Sequence, residues 1–147
     1  MTCPNSDIKL FMRLEPDIQK LTHQNGIKTR VVNGHAQVYK TPALRDLEAK
    51  YISLLKRFAP AKPWTCPIHL TTMWYFRGSA KVTTPYWKTT RPDDDNLIKT
   101  LKDCMTRCGF FKDDSFCSLT TIGKMVVPPS APHGVEIRLH DLTNDEP

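Results

Sequence analysis

The chain has 147 residues, 39% of them hydrophobic, with 21 Lys and Arg against 15 Asp and Glu for a formal net charge of +6. That length fits one domain with a core of its own, and a mean hydropathy of -0.43 excludes a membrane-spanning chain and speaks against wholesale disorder. Five cysteines, an odd number with no signal-peptide core ahead of them, speak against a secreted disulfide framework and predict a reducing cytoplasm.

Ile8, Leu10, Met12 and Leu14 share one face at period two, which predicts a strand closed by Pro16. Residues 17–30 carry mixed signals, but Arg30-Val31-Val32, Asn33-Gly34 and Ala36 to Tyr39 have the form of a hairpin on a two-residue turn. Thr41-Pro42 reads as a helix start, with Thr41 as N-cap, and apolar residues from Leu44 to Phe58 recur at helical spacing, predicting a helix over residues 42–58. After Pro60, Pro63 and Pro67, the residues Ile68, Leu70, Thr72, Trp74 and Phe76 alternate as a strand does. Residues 77–92 read as a long loop, of the kind that carries function or mobility. A second helix puts Leu97, Leu101, Cys104 and Cys108 on one stripe and stops at Gly109. Residues 116–127 are apolar and β-prone, and Val135, Ile137 and Leu139 alternate in a last strand. The order predicts an α+β fold, a single domain over residues 1–147 with a mixed sheet of about five to six strands packed against two main helices. Residues 143–147 read as a disordered tail.

Charge divides along the chain. Residues 1–92 hold 15 basic and 5 acidic side chains, whereas residues 93–147 hold 6 and 10. Between Glu48 and Asp93 there are eight cations, no acid, and the aromatics Trp64, Trp74, Tyr75, Tyr86 and Trp87. A charge run alone is most often a solvated face. Cations without counter-charge, interleaved with aromatics, point instead to a polyanion, with nucleic acid first.

The acids gather in Arg91-Pro92-Asp93-Asp94-Asp95-Asn96-Leu97-Ile98-Lys99, at the mouth of the second helix, and in Asp113-Asp114 just past its end. Crowded carboxylates raise one another's pKa unless a hard divalent cation relieves them. In a strand-like segment Asp93 and Asp95 share a face, and Lys99 stands one helical turn from Asp95. A helix from Asp95 to Cys108 is about 20 Å long, so Asp114 is expected to return along it on the neighbouring strand. Such a cluster suits metal-assisted phosphodiester hydrolysis, with Lys99 offering positive charge to the transition state. The competing reading makes Asp93 or Asp94 the N-cap and Asp113-Asp114 a polar turn, and these residues leave both open. An EF-hand is excluded, because Ile98 and Cys104 stand where its glycine and closing glutamate belong. Cys104 and Cys108 share the stripe of Leu97 and Leu101 and read as core. No histidine has zinc spacing with a cysteine pair, and His69 reads as a surface or core residue. Tyr86 and Trp87 have the best claim among the aromatics to touch DNA.

The segment Arg91 to Lys99, followed by Asp103 and by Gly109-Phe110-Phe111-Lys112-Asp113-Asp114, resembles the signature of the RusA family of Holliday-junction resolvases. That family shows an Asp-x-Asp-Asn-Leu-x-Lys start, an Asp four residues on, and a Gly-Phe-aromatic-x-Asp-Asp finish. The resemblance covers 24 of 147 residues. It implies a structure-selective, Mg2+-dependent endonuclease, with Mn2+ as substitute, acting as a homodimer on four-way branched DNA in recombination and repair. It also implies a bacterial or phage-encoded protein of the cytoplasm. By position, Asp93, Asp95 and Asp114 match the metal-binding carboxylates, Asp113 the neighbouring acidic position and Lys99 the catalytic lysine. Asp94 departs from the family, which has an apolar residue there, and reads as a cap or outer group. The segment from Gly78 to Lys88 is longer than the family's. A two-fold protein also suits a substrate of approximate two-fold symmetry that is cut twice. Arg77, Lys81, Lys88, Arg91 and Lys102 are expected to contact phosphates, with an affinity that falls as salt rises. The alternatives are a non-catalytic nucleic-acid-binding module and a metal-dependent nuclease with a different DNA substrate.

Overall fold

Strict alternation of apolar residues in three segments builds a sheet with one buried face. The computed structural model describes residues 6–19 and 26–147; Cys3 and His23 lie outside them. Strands β1 (Ile8–Arg13), β4 (Ile68–Arg77), β5 (Tyr86–Trp87), β6 (Cys117–Val127) and β7 (Gly134–Asp141) form a five-stranded sheet in the order β1-β7-β4-β6-β5. β4 and β6 run parallel, and the other pairs are antiparallel. On β4 the residues Ile68, Leu70, Thr72, Trp74 and Phe76 are buried while their neighbours are half-exposed, as a period of two requires when only one face is covered. Register carries that face across the sheet, since Leu70 pairs with Leu139 and Ile137 with Leu10.

Two helices cover it. α1 is a single turn (Pro16–Gln19), and the covering helices are α2 (Pro42–Leu55) and α3 (Asp94–Cys108). Thr41 caps α2 as its position predicts, its hydroxyl accepting from the Leu44 N–H at 3.2 Å. α2 ends at Leu55 and a 3-10 turn continues to Phe58, so Phe58 rotates off the predicted stripe and stands 45% exposed. Leu44, Leu47, Tyr51 and Leu55 of α2 meet Leu97, Leu101, Cys104 and Met105 of α3 in one core with the sheet.

The predicted hairpin forms, as β2 (Ile27–Val32) and β3 (His35–Lys40), on a turn with Asn33 at φ 52° and Gly34 at φ 78°. Both values are those of the tight turn that matches strand twist. It makes its own two-stranded sheet rather than joining the main one. The segment read as a long loop, residues 77–92, also holds the edge strand β5, pairing Tyr86 with Val126 and Trp87 with Met125.

Thiols were expected reduced throughout, yet Cys66 is fully buried and disulfide-bonded; Cys104, Cys108 and Cys117 are free. Cys104 and Cys108 lie against the carbonyls of Glu48 and Ile52 and serve the core, as their stripe predicts. Burial pushes the Cys104 thiol up to about 12. Asp145, in the predicted tail, accepts a hydrogen bond from the His140 ring at 2.8 Å, and Asp7 takes the other ring nitrogen at 2.7 Å. Among the described residues no helix is long and apolar enough to cross a membrane.

Gly134 opens β7 where β1 and β4 both press on it, paired with Arg13 and Tyr75. Its φ is 144°, and a Cβ there would stand 2.1 Å from the Met12 carbonyl oxygen. The next nearest atoms, the Arg13 Cα at 2.9 Å and the Leu14 nitrogen at 3.0 Å, are backbone too, so none of the three can swing away. Gly134→Ala is therefore expected to destabilise the fold by about 3 kcal/mol or more, read by urea denaturation.

Candidate active site

The turn before α3 is held from below. Lys124, on the helix-covered face of β6, donates to the carbonyls of Thr90 at 3.0 Å and Pro92 at 2.9 Å, fixing the approach to Asp93. Nothing in the sequence pattern singled out Lys124, since a lone lysine in an apolar strand gives no sign of which carbonyls it reaches. Asp93 occupies the N-cap position in extended conformation, but its carboxylate makes no capping hydrogen bond. Asp94 instead accepts from the Asp95 N–H at 2.9 Å. Asp93, Asp94, Asp95 and Lys99 are all exposed. Asp94 and Asp95 are already helical, so the strand-like sharing of a face expected for Asp93 and Asp95 does not apply; helix hydrogen bonding begins at Asp93, whose carbonyl accepts from Leu97 N–H.

The far end of α3 is fixed by apolar residues. Gly109 adopts φ 83° and ends the helix, after which Phe110 and Phe111 turn inward and are fully buried. Trp64, also fully buried, clamps them through its backbone: its main-chain N–H donates to the Phe110 carbonyl at 3.0 Å, and its carbonyl accepts from the Lys112 N–H at 3.2 Å. Burying three such rings stabilises by several kcal/mol, and that is what the Gly-Phe-Phe run does for the acids behind it. Asp113 then accepts from the Ser115 N–H at 2.8 Å and starts a 3-10 turn, Asp114–Phe116. The Ser115 N–H and hydroxyl, with a hydrogen bond to Asp114, hold the Asp113 carboxyl below the ordinary range. Partial burial, then the bond to Asp113 and its charge, push Asp114 up.

Asp114 does not return to Asp95. It stays beside Lys102 and Asp103, lining a cavity of about 350 Å3 with Glu48, Asp103, Arg107 and Asp113. Asp103 is eight residues past Asp95, about 12 Å along a helix of about 22 Å. The inward anchoring of Phe110 and Phe111 leaves Asp113-Asp114 at the end of α3, ahead of β6 rather than on it. One chain thus presents two acidic sites, Asp93 with Asp95 and Asp113 with Asp114. Among the described residues no group of three or more metal-ligating side chains comes together.

The cations divide likewise. Arg77, Lys81 and Arg91 are exposed on the segment that leads into α3, and Lys88 joins them, its ammonium 5.1 Å above the Phe76 ring and 2.8 Å from the Thr90 hydroxyl. Lys102 serves the Asp114 end. Tyr86 and Trp87 are 53% and 66% exposed. Sequence reasoning missed Glu48, which is 4% exposed on α2 and binds Lys40 at 2.8 Å and Arg107 at 3.1 Å. Its place on the buried stripe between Leu47 and Tyr51 was the available signal.

A family model described as "Endodeoxyribonuclease RusA" matches residues 19–140. The chain is also similar to "Crossover junction endodeoxyribonuclease rusA" of Lactococcus phage r1t, at 35% identity over 114 residues, 74% of this chain and 82% of that relative.

Proposed function

The chain belongs to the RusA family of endodeoxyribonucleases, and from that premise we propose that it resolves four-way DNA junctions by Mg2+-dependent hydrolysis of phosphodiesters. The observation that carries the site assignment is the Asp93 carboxylate, exposed at an N-cap and making no cap bond. A capping bond there is worth about 1 kcal/mol, and a side chain placed for it yet held off is available to a ligand.

A Mg2+ ion binds its oxygens at about 2.1 Å, so ligands more than about 4 Å apart cannot share it. Asp95 and Asp114 of one chain exceed that several-fold. A second copy removes the difficulty. β6 pairs with β5 only at Met125 and Val126, so that among the described residues its first half, from Cys117 to Gly123, is an unpaired edge with Leu119 49% exposed. Antiparallel pairing of two such edges about a two-fold axis runs Asp114 of one copy toward the other copy's Lys124, which grips the turn before Asp93. Both acidic pairs then meet twice per dimer, one site for each strand to be cut.

In this reading Asp93 and Asp95 of one copy, with Asp114 of the other and Asp113 beside it, hold the cation. When bound, Mg2+, or Mn2+ in its place, neutralises phosphate charge and acidifies the attacking water. Lys99 offers its ammonium to the phosphate oxygens, and Arg77, Lys81, Lys88, Arg91 and Lys102 neutralise the flanking backbone. The 147 residues act as one catalytic domain in the cytoplasm of a bacterial host, and the phage relative supports that setting.

The test is cleavage of a labelled four-way junction beside a linear duplex of the same arm sequence, with and without Mg2+. Paired symmetric nicks in the junction alone, only with metal, are expected. Equal cutting of both substrates makes the protein a general nuclease, and tight binding without cutting makes it a binding module.

A further inference from the structure

The hairpin β2–β3 is a basic surface outside the acidic sites and outside the cations already placed on DNA. From Gly26 to Arg45 there is no acidic residue, while Lys28, Arg30, Lys40 and Arg45 are all present. Register puts Lys28, Arg30 and Val32 on one face with Tyr39, Gln37 and His35. Every residue from Lys28 to Val31 and from Asn33 to Val38, apart from the half-buried Val32 between them, is exposed. The Arg30 guanidinium lies 4.9 Å from the centre of the Tyr39 ring on the same face of the ribbon, a contact that limits the freedom of its planar group.

The base of the ribbon is anchored where it matters. Lys40, the last residue of β3, binds the buried Glu48, which also binds Arg107. Lys40 and Glu48 line the same cavity as Asp113 and Asp114. A two-stranded ribbon with both faces in water is marginal alone, so this anchor fixes its direction from the rim of the Asp113-Asp114 site. Strands of six residues reach about 20 Å, and a two-stranded ribbon fits the DNA major groove.

We propose that the β2–β3 ribbon is a DNA-binding arm, whose Lys28 and Arg30 take backbone phosphates of the duplex arm leading to Asp114. The proposal rests on the branched-DNA reading above. Its base lies at the end of α3 that carries Arg107 and Asp114, whereas Arg77, Lys81, Lys88 and Arg91 precede the other end, so the arm adds a DNA contact that those cations do not reach.

The experiment measures binding to a labelled four-way junction in EDTA over a series of salt concentrations. It compares the intact protein, the double variant Lys28→Glu/Arg30→Glu, and a control, Lys50→Glu/Arg57→Glu, with the same change of net charge on exposed positions of α2 and the turn after it. Thermal denaturation and gel filtration accompany each. The ribbon variant is expected to bind at least tenfold more weakly than the control, with a slope of log K against log salt shallower by about 2. Its melting temperature and oligomeric state are expected to be unchanged. Equal affinities in variant and control overturn the proposal, as does a ribbon variant that loses its oligomeric state, since the ribbon is then a subunit contact. If the intact protein does not bind the junction, the failure lies with the branched-DNA reading instead.

Discussion

Asp93→Asn is expected to leave four-way DNA bound and uncut. The replacement keeps the shape of the side chain and removes only its charge. Because the carboxylate is exposed and makes no capping bond, the fold loses nothing by it, and the melting temperature is expected to hold within about 1 °C. Catalysis loses a ligand where ligand charge is what gathers the cation and the scissile phosphate, and nicking is expected to fall by about a thousandfold or more. Binding is expected to stay level or tighten, since one negative charge facing a polyanion has gone. Asp94→Asn is the contrast, because that carboxylate accepts the Asp95 N–H, a task the amide oxygen also performs; its nicking rate is expected to stay within a few-fold. Gel shifts in EDTA and nicking rates in Mg2+ read both variants. Wild-type cutting by Asp93→Asn sinks the assignment of Asp93.

Local rules made much of this structure legible. Alternation located β1, β4 and β7, Thr41 and Gly109 marked a helix start and a helix end, and Asn33-Gly34 marked the hairpin, because each signal is set by residues within a few positions of one another. The elements that escaped are those decided by distant partners. β5 is two residues long and has no period of its own; it exists because Met125 and Val126 offer it an edge. The direction taken after α3 was misread for the same reason. Spacing allowed Asp114 to run back toward Asp95, but Trp64, more than forty residues earlier, is what seats Phe110 and Phe111 and keeps Asp114 at the helix end. The family motif thus has two kinds of residue, acids facing solvent and the Gly-Phe-Phe run that aims them. Only the first kind shows in the spacing. Glu48 was hidden by its own stripe, where a buried carboxylate is tolerated because Lys40 and Arg107 both reach it.

Mixing two inactive variants is expected to restore cutting, and this is the sharpest consequence of acids standing at opposite ends of α3. Take Asp93→Asn and Asp114→Asn, each without activity alone, because every site in either homodimer lacks one carboxylate. In a mixed dimer one site combines both substitutions and is dead. The other combines the intact Asp93 of one copy with the intact Asp114 of its companion, and is whole. After free exchange of equal amounts about half of the dimers are mixed, so about a quarter of the wild-type number of sites returns. Such a dimer cuts one strand only, so the expected product is a singly nicked junction rather than two resolved duplexes, visible on denaturing and native gels side by side. If all the carboxylates of a site came from one chain, both sites of the mixed dimer would carry a substitution and no cutting would return. Incubating the two variants under mild denaturant and diluting them together, beside each variant treated alone, separates the two arrangements in a single experiment.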